Sequence, residues 1–160
     1  MARLQAFKKY ERGLTGTVSF ETTAKTSARM SRVGRAATKP ELLVRRYLTT
    51  LGLRYTTKNR DLPGSPDLAN RKKKWAVFVH GCFWHQHWRC KSATIPKSNA
   101  AFWRAKFASN KSRDGRVQSE LESLGFTVIA VWECQSSIPA LIGEAVAPLR
   151  SELRTLINTR

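Results

Sequence analysis

The chain is poor in the residues that usually carry chemistry. Its 160 residues include 11 Asp and Glu, three His and three Cys, against 29 Lys and Arg. No apolar run approaches the roughly 18 residues that a membrane span needs, and Met1–Lys9 lacks the apolar stretch of a signal peptide. We therefore expect a cytoplasmic protein with no membrane partner. An odd number of cysteines close to histidines favours metal ligands over disulfides.

The excess of positive charge indicates the partner. A formal charge of +18 attracts polyanions and makes binding to phosphate backbones depend on salt. With 41% hydrophobic and 25% charged residues, the chain has the composition of a globular protein. Its length suits one domain with a sizeable core. Residues 1–37 are basic and show no apolar period, which indicates a loose arm. Nucleic acid is the partner that these features favour.

The hydrophobic pattern predicts an α/β fold with a mixed sheet flanked by helices. Thr38 and Pro40 are typical of a helix start, and Gly52 of its end. Apolar residues at helical spacing predict a second, longer helix over Ser98–Leu124, which is expected to bend or break at Gly115. A terminal helix is expected to begin at Ser137 and to kink before Pro148. The expected strands are Leu53–Thr57, Asp67–Ala69, Trp75–Val79 and Phe126–Trp132.

A metal site is predicted where two of these strands end. All three histidines and two cysteines lie within residues 80–90, directly after the strand Trp75–Val79. Cys134 follows the strand Phe126–Trp132, and two neighbouring strands that end side by side would bring it to the cluster. Structural zinc usually has four Cys and His ligands. The ligand set that the spacing favours is Cys82, His87, Cys90 and Cys134. In the alternative interpretation, Cys82 and Cys134 are small buried hydrophobic residues at strand ends.

A second metal is suggested by Asp67. This aspartate follows a turn and lies one strand away from His80 and His85, an arrangement that suits Mg²⁺-dependent phosphodiester hydrolysis. The two histidines, if they do not bind zinc, can act as general acid or base near neutral pH. A turn aspartate and core histidines are the alternatives. Two further acidic residues have plainer interpretations: Glu41 favours a helix dipole, and Asp114 forms a surface ion pair.

Several bulky residues fall outside the strand pattern. Such side chains beside basic residues can push between base pairs and kink a duplex, whereas the alternative is ordinary core packing. Core packing is expected for Trp75 and Trp132. The possible wedge residues are Met30, Phe83, Trp84, Trp88 and Trp103.

Several segments of the chain resemble a known family, the very-short-patch-repair (Vsr) DNA mismatch endonucleases. The most specific segment is His80-Gly81-Cys82-Phe83-Trp84-His85, and the likeness extends over about Ser27 to Cys134. The other matching segments are Leu62–Asp67, Val77–Val79, Phe102-Trp103, Asn110 with Arg113-Asp114, and Val131–Cys134.

The resemblance implies a restriction-endonuclease-like fold over residues 27–160, after a basic arm of residues 1–26. It implies a catalytic Mg²⁺ held by Asp67 and the backbone of Val79, and a structural Zn²⁺ on the four ligands already derived. Active-site roles fall on His80, His85 and Asp114, which overturns the plainer interpretation of Asp114. Glu41, which follows the family's Thr-Lys-Pro-Glu pattern, is a further candidate for a catalytic role, with the helix-start interpretation as its alternative. The implied wedge residues are Met30, Phe83, Trp84 and Trp103.

The implied function is nicking 5′ to the thymine of a T:G mismatch in double-stranded DNA. We expect a bacterial, nucleoid-associated monomer, with other mismatch-repair proteins as further candidate partners. Two alternatives stay open: a related defence or mobile-element nuclease without mismatch specificity, and a zinc-stabilised DNA-binding module without catalysis. The chain departs from some family members at Val79, where they carry threonine, and by one extra residue between His87 and Cys90.

Overall fold

The computed structural model describes residues 37–149. The basic arm of residues 1–26, Met30 and residues 150–160 lie outside the described residues. Three strands form one sheet in the order β1-β2-β3: β1 is Leu68–Asn70, β2 is Trp75–His80 and β3 is Thr127–Trp132. β1 pairs with β2 antiparallel, and β2 pairs with β3 parallel. The predicted mixed sheet is therefore confirmed.

Helices cover both faces of this sheet. Helix α1 spans Lys39–Thr50, α2 spans Ala100–Ser123 and α3 spans Pro139–Ala145, followed by a 3₁₀ turn at Ala147–Leu149. The larger core packs α1 and α3 on one sheet face, and its buried members include Val44, Leu48, Trp75, Val131 and Ile142. A smaller core on the other face joins Ala69, Ala76, Leu121 and Phe126 under α2. No helix within residues 37–149 combines the length and apolarity required to cross a membrane.

Strand alternation decides which side chains face α2. Successive residues of a strand point to opposite faces of the sheet. In β2, Trp75 and Val77 belong to the larger core, whereas Ala76 and Phe78 pack on the α2 side. His80, two residues beyond Phe78, therefore also faces α2. This parity places the last residue of the central strand under the long helix.

Three of the expected elements differ from the structure. The predicted strand Leu53–Thr57 is wrong, because this segment makes only an isolated antiparallel bridge between Thr56 and Ala69. Helix α2 continues through Gly115 without a break. The terminal helix begins at Pro139, two residues after the expected Ser137, and ends at Ala145, so that a 3₁₀ turn at Ala147–Leu149 stands where the kink before Pro148 was expected.

The turn before β1 depends on a close approach to α2. Gly64 has φ +68°, and a Cβ at this position would lie 2.4 Å from Cγ1 of Val117 on α2. Such a distance is far inside van der Waals contact, and a positive φ already disfavours side chains. Glycine therefore lets the turn that leads to Asp67 pack directly on the helix.

Candidate active site and metal cluster

A cleft of about 560 Å³ opens where β2 ends. It lies between the sheet, α2 and the start of α1. Its ionisable lining residues are Glu41, Asp67, His80, His85, Arg113, Asp114 and Glu133. The structure thus brings together all five residues that the sequence assigned to catalysis.

Asp67 lies immediately before β1 and faces the cleft. Its Oδ2 accepts a hydrogen bond from the Val79 N–H at 2.7 Å, which ties the carboxylate to the end of β2. Burial raises the pKa of Asp67 above its usual range, against the lowering effect of this hydrogen bond. A raised pKa means that, within residues 37–149, no cationic group stabilises the charged carboxylate enough to offset its loss of solvation. Such a group is well suited to a bound cation.

His80 and His85 form a stacked pair beside Asp114. Their ring centroids are 4.0 Å apart, and Nδ1 of His85 lies 2.5 Å from Oδ2 of Asp114. Burial, with the neighbouring His85 as a second cause, lowers the pKa of His80 to about 4, so that this ring is neutral at pH 7. Burial raises the pKa of Asp114, but hydrogen bonds from His85 and Arg113 outweigh it and the net pKa is lowered. Asp114 is therefore an anion that orients the His85 ring.

Glu41 is 6% exposed and belongs to the first turn of α1. Its carboxylate accepts hydrogen bonds from the Ala37 N–H and the Thr38 hydroxyl, both at 2.8 Å, and pairs with Arg45 at 3.4 Å. These contacts resemble a capping box, in which a third-position glutamate binds the residues that begin the helix. The geometry matches the helix-start interpretation, while the carboxylate also borders the cleft near Asp67.

The four residues predicted to bind zinc converge at the same end of the sheet. One ligand atom from each of Cys82, His87, Cys90 and Cys134 lies within 4.8 Å of the others. Nδ1 of His87 is 3.7 Å from Sγ of Cys82 and 3.3 Å from Sγ of Cys134. A tetrahedral zinc ion, with bonds of about 2.1 and 2.3 Å to nitrogen and sulfur, would separate those atoms by roughly 3.6 Å. The set therefore fits one tetrahedral ion.

Most of the predicted wedge residues form one aromatic group. The Phe83 ring meets those of Trp84, Trp103 and Phe107 at centroid distances of 5.1, 5.3 and 5.2 Å. Trp84 also borders the cleft. Met30 lies outside the described residues. Trp88 does not belong to this group, since it is 80% exposed and its ring is 5.6 Å from the Arg89 guanidinium.

The prediction that Trp132 is a core residue is wrong. Its ring is only partly buried and stacks on His87, with centroids 4.2 Å apart and planes within 9°. It also meets the His80 ring edge-on at 5.4 Å. Trp132 therefore separates the Cys/His cluster from the cleft histidines. The alternation of β3 was the available signal, because Ile129 and Val131 face the larger core and Trp132 cannot.

Two further polar residues were given no role by the sequence. Asn110 is 6% exposed, and its amide donates to the Trp84 carbonyl at 2.8 Å, which anchors the loop between the histidines to α2. Glu133 accepts a hydrogen bond from the Cys82 N–H at 3.2 Å. Asn110 and Asp114 interrupt the apolar stripe of α2 formed by Trp103, Phe107, Val117 and Leu121, and this interruption is the trace that the site leaves in the sequence of the helix.

A carboxylate and two histidines in the cleft of a strongly basic α/β domain define the class of protein as a hydrolytic nuclease. Comparison with known sequences agrees. The sequence model of the family described as DNA mismatch endonuclease Vsr matches residues 19–91. The chain belongs to the Vsr family, and it is a DNA endonuclease.

The similar proteins carry related names. The type II nicking enzyme V.NmeAIP of Neisseria meningitidis is 41% identical over 136 residues, which cover 85% of this chain and 96% of that protein. V.NaeI, a type II nicking enzyme of Lentzea aerocolonigenes, is 32% identical over 139 residues, covering 80% and 81%. DNA mismatch endonuclease Vsr of Escherichia coli is 40% identical over 87 residues, covering 54% and 55%.

Proposed function

We propose that the protein nicks one strand of double-stranded DNA, 5′ to the thymine of a T:G mismatch, by Mg²⁺-dependent hydrolysis. The observation that carries this proposal is the cleft that unites Asp67 with the His80, His85 and Asp114 cluster. The name of the E. coli relative supports mismatch specificity. We further propose a restriction-endonuclease-like fold for residues 27–160, a monomeric state and a bacterial, nucleoid-associated location.

Asp67 and the Val79 backbone would hold the magnesium ion. Oδ2 of Asp67 accepts a hydrogen bond from the Val79 N–H. Within the part of the chain that the structure describes, Oδ1 is therefore the carboxylate oxygen left to bind an ion. When bound, the ion would neutralise charge on the scissile phosphate and favour ionisation of the attacking water. Mg²⁺ is commonly held by one or two carboxylates together with waters and substrate phosphates.

The histidines would move the protons. Asp114 engages Nδ1 of His85, which leaves Nε2 of His85 to accept a proton from the attacking water. The water oxygen bonds to phosphorus as the bond from phosphorus to the 3′ oxygen breaks, and the 3′ oxygen takes up a proton from solvent water, which yields a 5′-phosphate and a 3′-hydroxyl. His80, neutral at pH 7, would contact the leaving oxygen or the water. Glu41, whose oxygens are already engaged, would act chiefly by holding the start of α1 against the cleft.

The aromatic group beside the cleft would sense the mismatch. Phe83 and Trp84 project from the loop and Trp103 from α2, so that three rings meet next to the histidines. Wedges of this kind unstack a base step, and unstacking costs less at a mispair than at a matched pair. Met30, which lies outside the described residues, would contribute a further wedge.

Nicking of a T:G duplex with Mg²⁺, compared with the same duplex carrying T:A, tests this proposal. We expect cleavage of the thymine strand of the T:G duplex at least about tenfold faster, since unstacking a base step costs a few kcal/mol and costs less at a mispair, and a difference of about 1.4 kcal/mol is already tenfold. Gel analysis of duplexes labelled on either strand gives both the rate and the strand.

Equal rates on both duplexes would contradict mismatch specificity and favour a nuclease of the defence type. The names of the similar type II nicking enzymes mention nicking but no mismatch, which agrees with this alternative. Absence of any metal-dependent nicking would favour a DNA-binding module. In the same assay, Trp84→Ala should lower the T:G preference if its ring acts as a wedge.

We also propose that the Cys/His cluster binds one structural zinc ion. Cys134 follows β3, whereas the other three ligands follow β2, so the ion would link the ends of two strands. Cys134→Ser should therefore release the zinc and lower the melting temperature by roughly 5–15 °C. Elemental analysis and thermal unfolding of the purified variant measure both effects.

Ser137→Ala, an exposed change three residues further along, is the matched control and should leave zinc content and melting temperature unchanged. Wild-type protein without zinc, or a Cys134→Ser variant as stable as wild type, would contradict the assignment.

A further inference from the structure

Trp88 is the most exposed large hydrophobic side chain among residues 37–149. Its side chain is 80% exposed, whereas the next in order, Leu42 and Leu124, are each 51% exposed. It lies between His87 and Cys90. The wedge group and the cleft leave it without a role.

The loop holds Trp88 outward on a fixed base. The flanking residues Gln86 and Arg89 have φ of +51° and +54°, in the left-handed region that non-glycine residues rarely adopt. Such residues persist where the surrounding structure over-determines them. Here the surroundings are His87 and Cys90 in the Cys/His cluster, and the Gln86 amide, which donates to the Phe83 carbonyl at 2.8 Å. Because the backbone of this loop is already fixed, ordering it on binding costs little conformational entropy.

The positive charge of the chain segment that contains this loop indicates the kind of ligand. Residues 68–113 contain 11 Lys and Arg and no Asp or Glu. Within this segment the Arg89 guanidinium lies 5.6 Å from the centroid of the Trp88 ring, and Lys91 follows directly after Cys90. Arginine and lysine bind the phosphates of a duplex, and an exposed ring beside them can pack against the adjoining sugar.

The loop is also close to the cleft. The His87 ring stacks on Trp132, whose other contact is the His80 ring at the cleft wall. Trp88 is the neighbour of His87 in the chain. The centroid distances of 4.2 and 5.4 Å through Trp132 put the His87 ring within about 10 Å of the His80 ring, which is the length of about three base pairs at roughly 3.4 Å each.

We propose that Trp88 and Arg89 form a second DNA contact, on the flank of the active-site cleft. The guanidinium binds a backbone phosphate, and the indole packs against the sugar or base of the adjoining nucleotide. This contact deepens the proposed function, since it takes the nicked DNA as its ligand. It acts on affinity rather than on the chemical step, because neither side chain borders the cleft.

Binding and single-turnover nicking of a T:G duplex test the contact. Binding is followed by fluorescence anisotropy with EDTA across a salt series, and nicking is started with Mg²⁺. Trp88→Ala should weaken binding about fivefold or more, as truncation of a tryptophan that anchors an interface does. Trp88→Phe should keep most of the affinity. Arg89→Ala should reduce the slope of log affinity against log salt by about one. At saturating DNA each variant should nick at the wild-type rate.

Leu124→Ala is the matched control, since Leu124 is also an exposed large hydrophobic residue but lies at the end of α2. It should bind as wild type does. Zinc content measured on each variant separates loss of the contact from loss of the loop. Unchanged affinity in Trp88→Ala together with an unchanged salt slope in Arg89→Ala would overturn the proposal. Wild-type nicking of the T:G duplex is scored separately, so that failure of this contact and failure of the proposed function are distinguishable.

Discussion

Asp67→Ala is expected to lower the rate of nicking by about three orders of magnitude or more, while DNA binding stays largely intact. Asp67 is the cleft carboxylate tied to the end of β2 by the Val79 N–H, and metal-assisted hydrolysis loses its protein ligand without it. Affinity depends mainly on the 29 Lys and Arg, which the substitution does not touch. Single-turnover nicking with Mg²⁺ and equilibrium binding with EDTA measure the two quantities.

Asp61→Ala provides a matched control six residues upstream. Asp61 is exposed and pairs with Arg71 at 2.6 Å, away from the cleft lining. Its loss should leave the nicking rate within a few-fold of wild type. Nicking by Asp67→Ala at the rate of this control would rule out Asp67 as the catalytic ligand.

The parts of the site that follow parallel strands could be predicted from the sequence. Trp75–Val79 and Phe126–Trp132 are continuous apolar runs, and in the structure β2 and β3 pair in parallel with His80 opposite Trp132. Side chains that follow such strands must meet at one edge of the sheet. This is why Cys134 could be grouped with a cluster more than forty residues earlier in the chain.

The segment Leu53–Thr57 shows why other elements could not be predicted. Its residues suit a strand, but a strand forms only where a neighbour offers a ladder of backbone groups. The available neighbour, β1, has three residues. The Asn59 side-chain amide donates hydrogen bonds to the Thr56 and Pro66 carbonyls, each at 2.9 Å. These side-chain hydrogen bonds stand in place of further backbone hydrogen bonds between strands. That competition depends on the folded turn and leaves no periodic signal.

Asn110 and Asp114 illustrate a second limit of sequence patterns. Both interrupt the apolar stripe of α2, and an amphipathic pattern normally assigns polar residues to the solvent face. The structure instead turns them toward the loop that carries Trp84 and His85. A polar residue inside an apolar stripe therefore marks a site only when the partner loop is known, and here that loop lacks regular secondary structure.

His85→Ala is expected to lower the single-turnover nicking rate by about 10²- to 10⁴-fold, as loss of a general base does. Asp114→Ala should lower it less, because Asp114 is a positioning residue that acts through its hydrogen bond to Nδ1 of His85. The double variant then tests this dependence. If Asp114 acts only through His85, adding Asp114→Ala to His85→Ala should produce no further loss, so that the two effects are strongly non-additive.

Glu120→Gln, an exposed change on the same helix, is the control and should nick at the wild-type rate. Fully additive losses in the double variant would show that Asp114 contributes independently of the histidine, and the paired assignment would then be wrong.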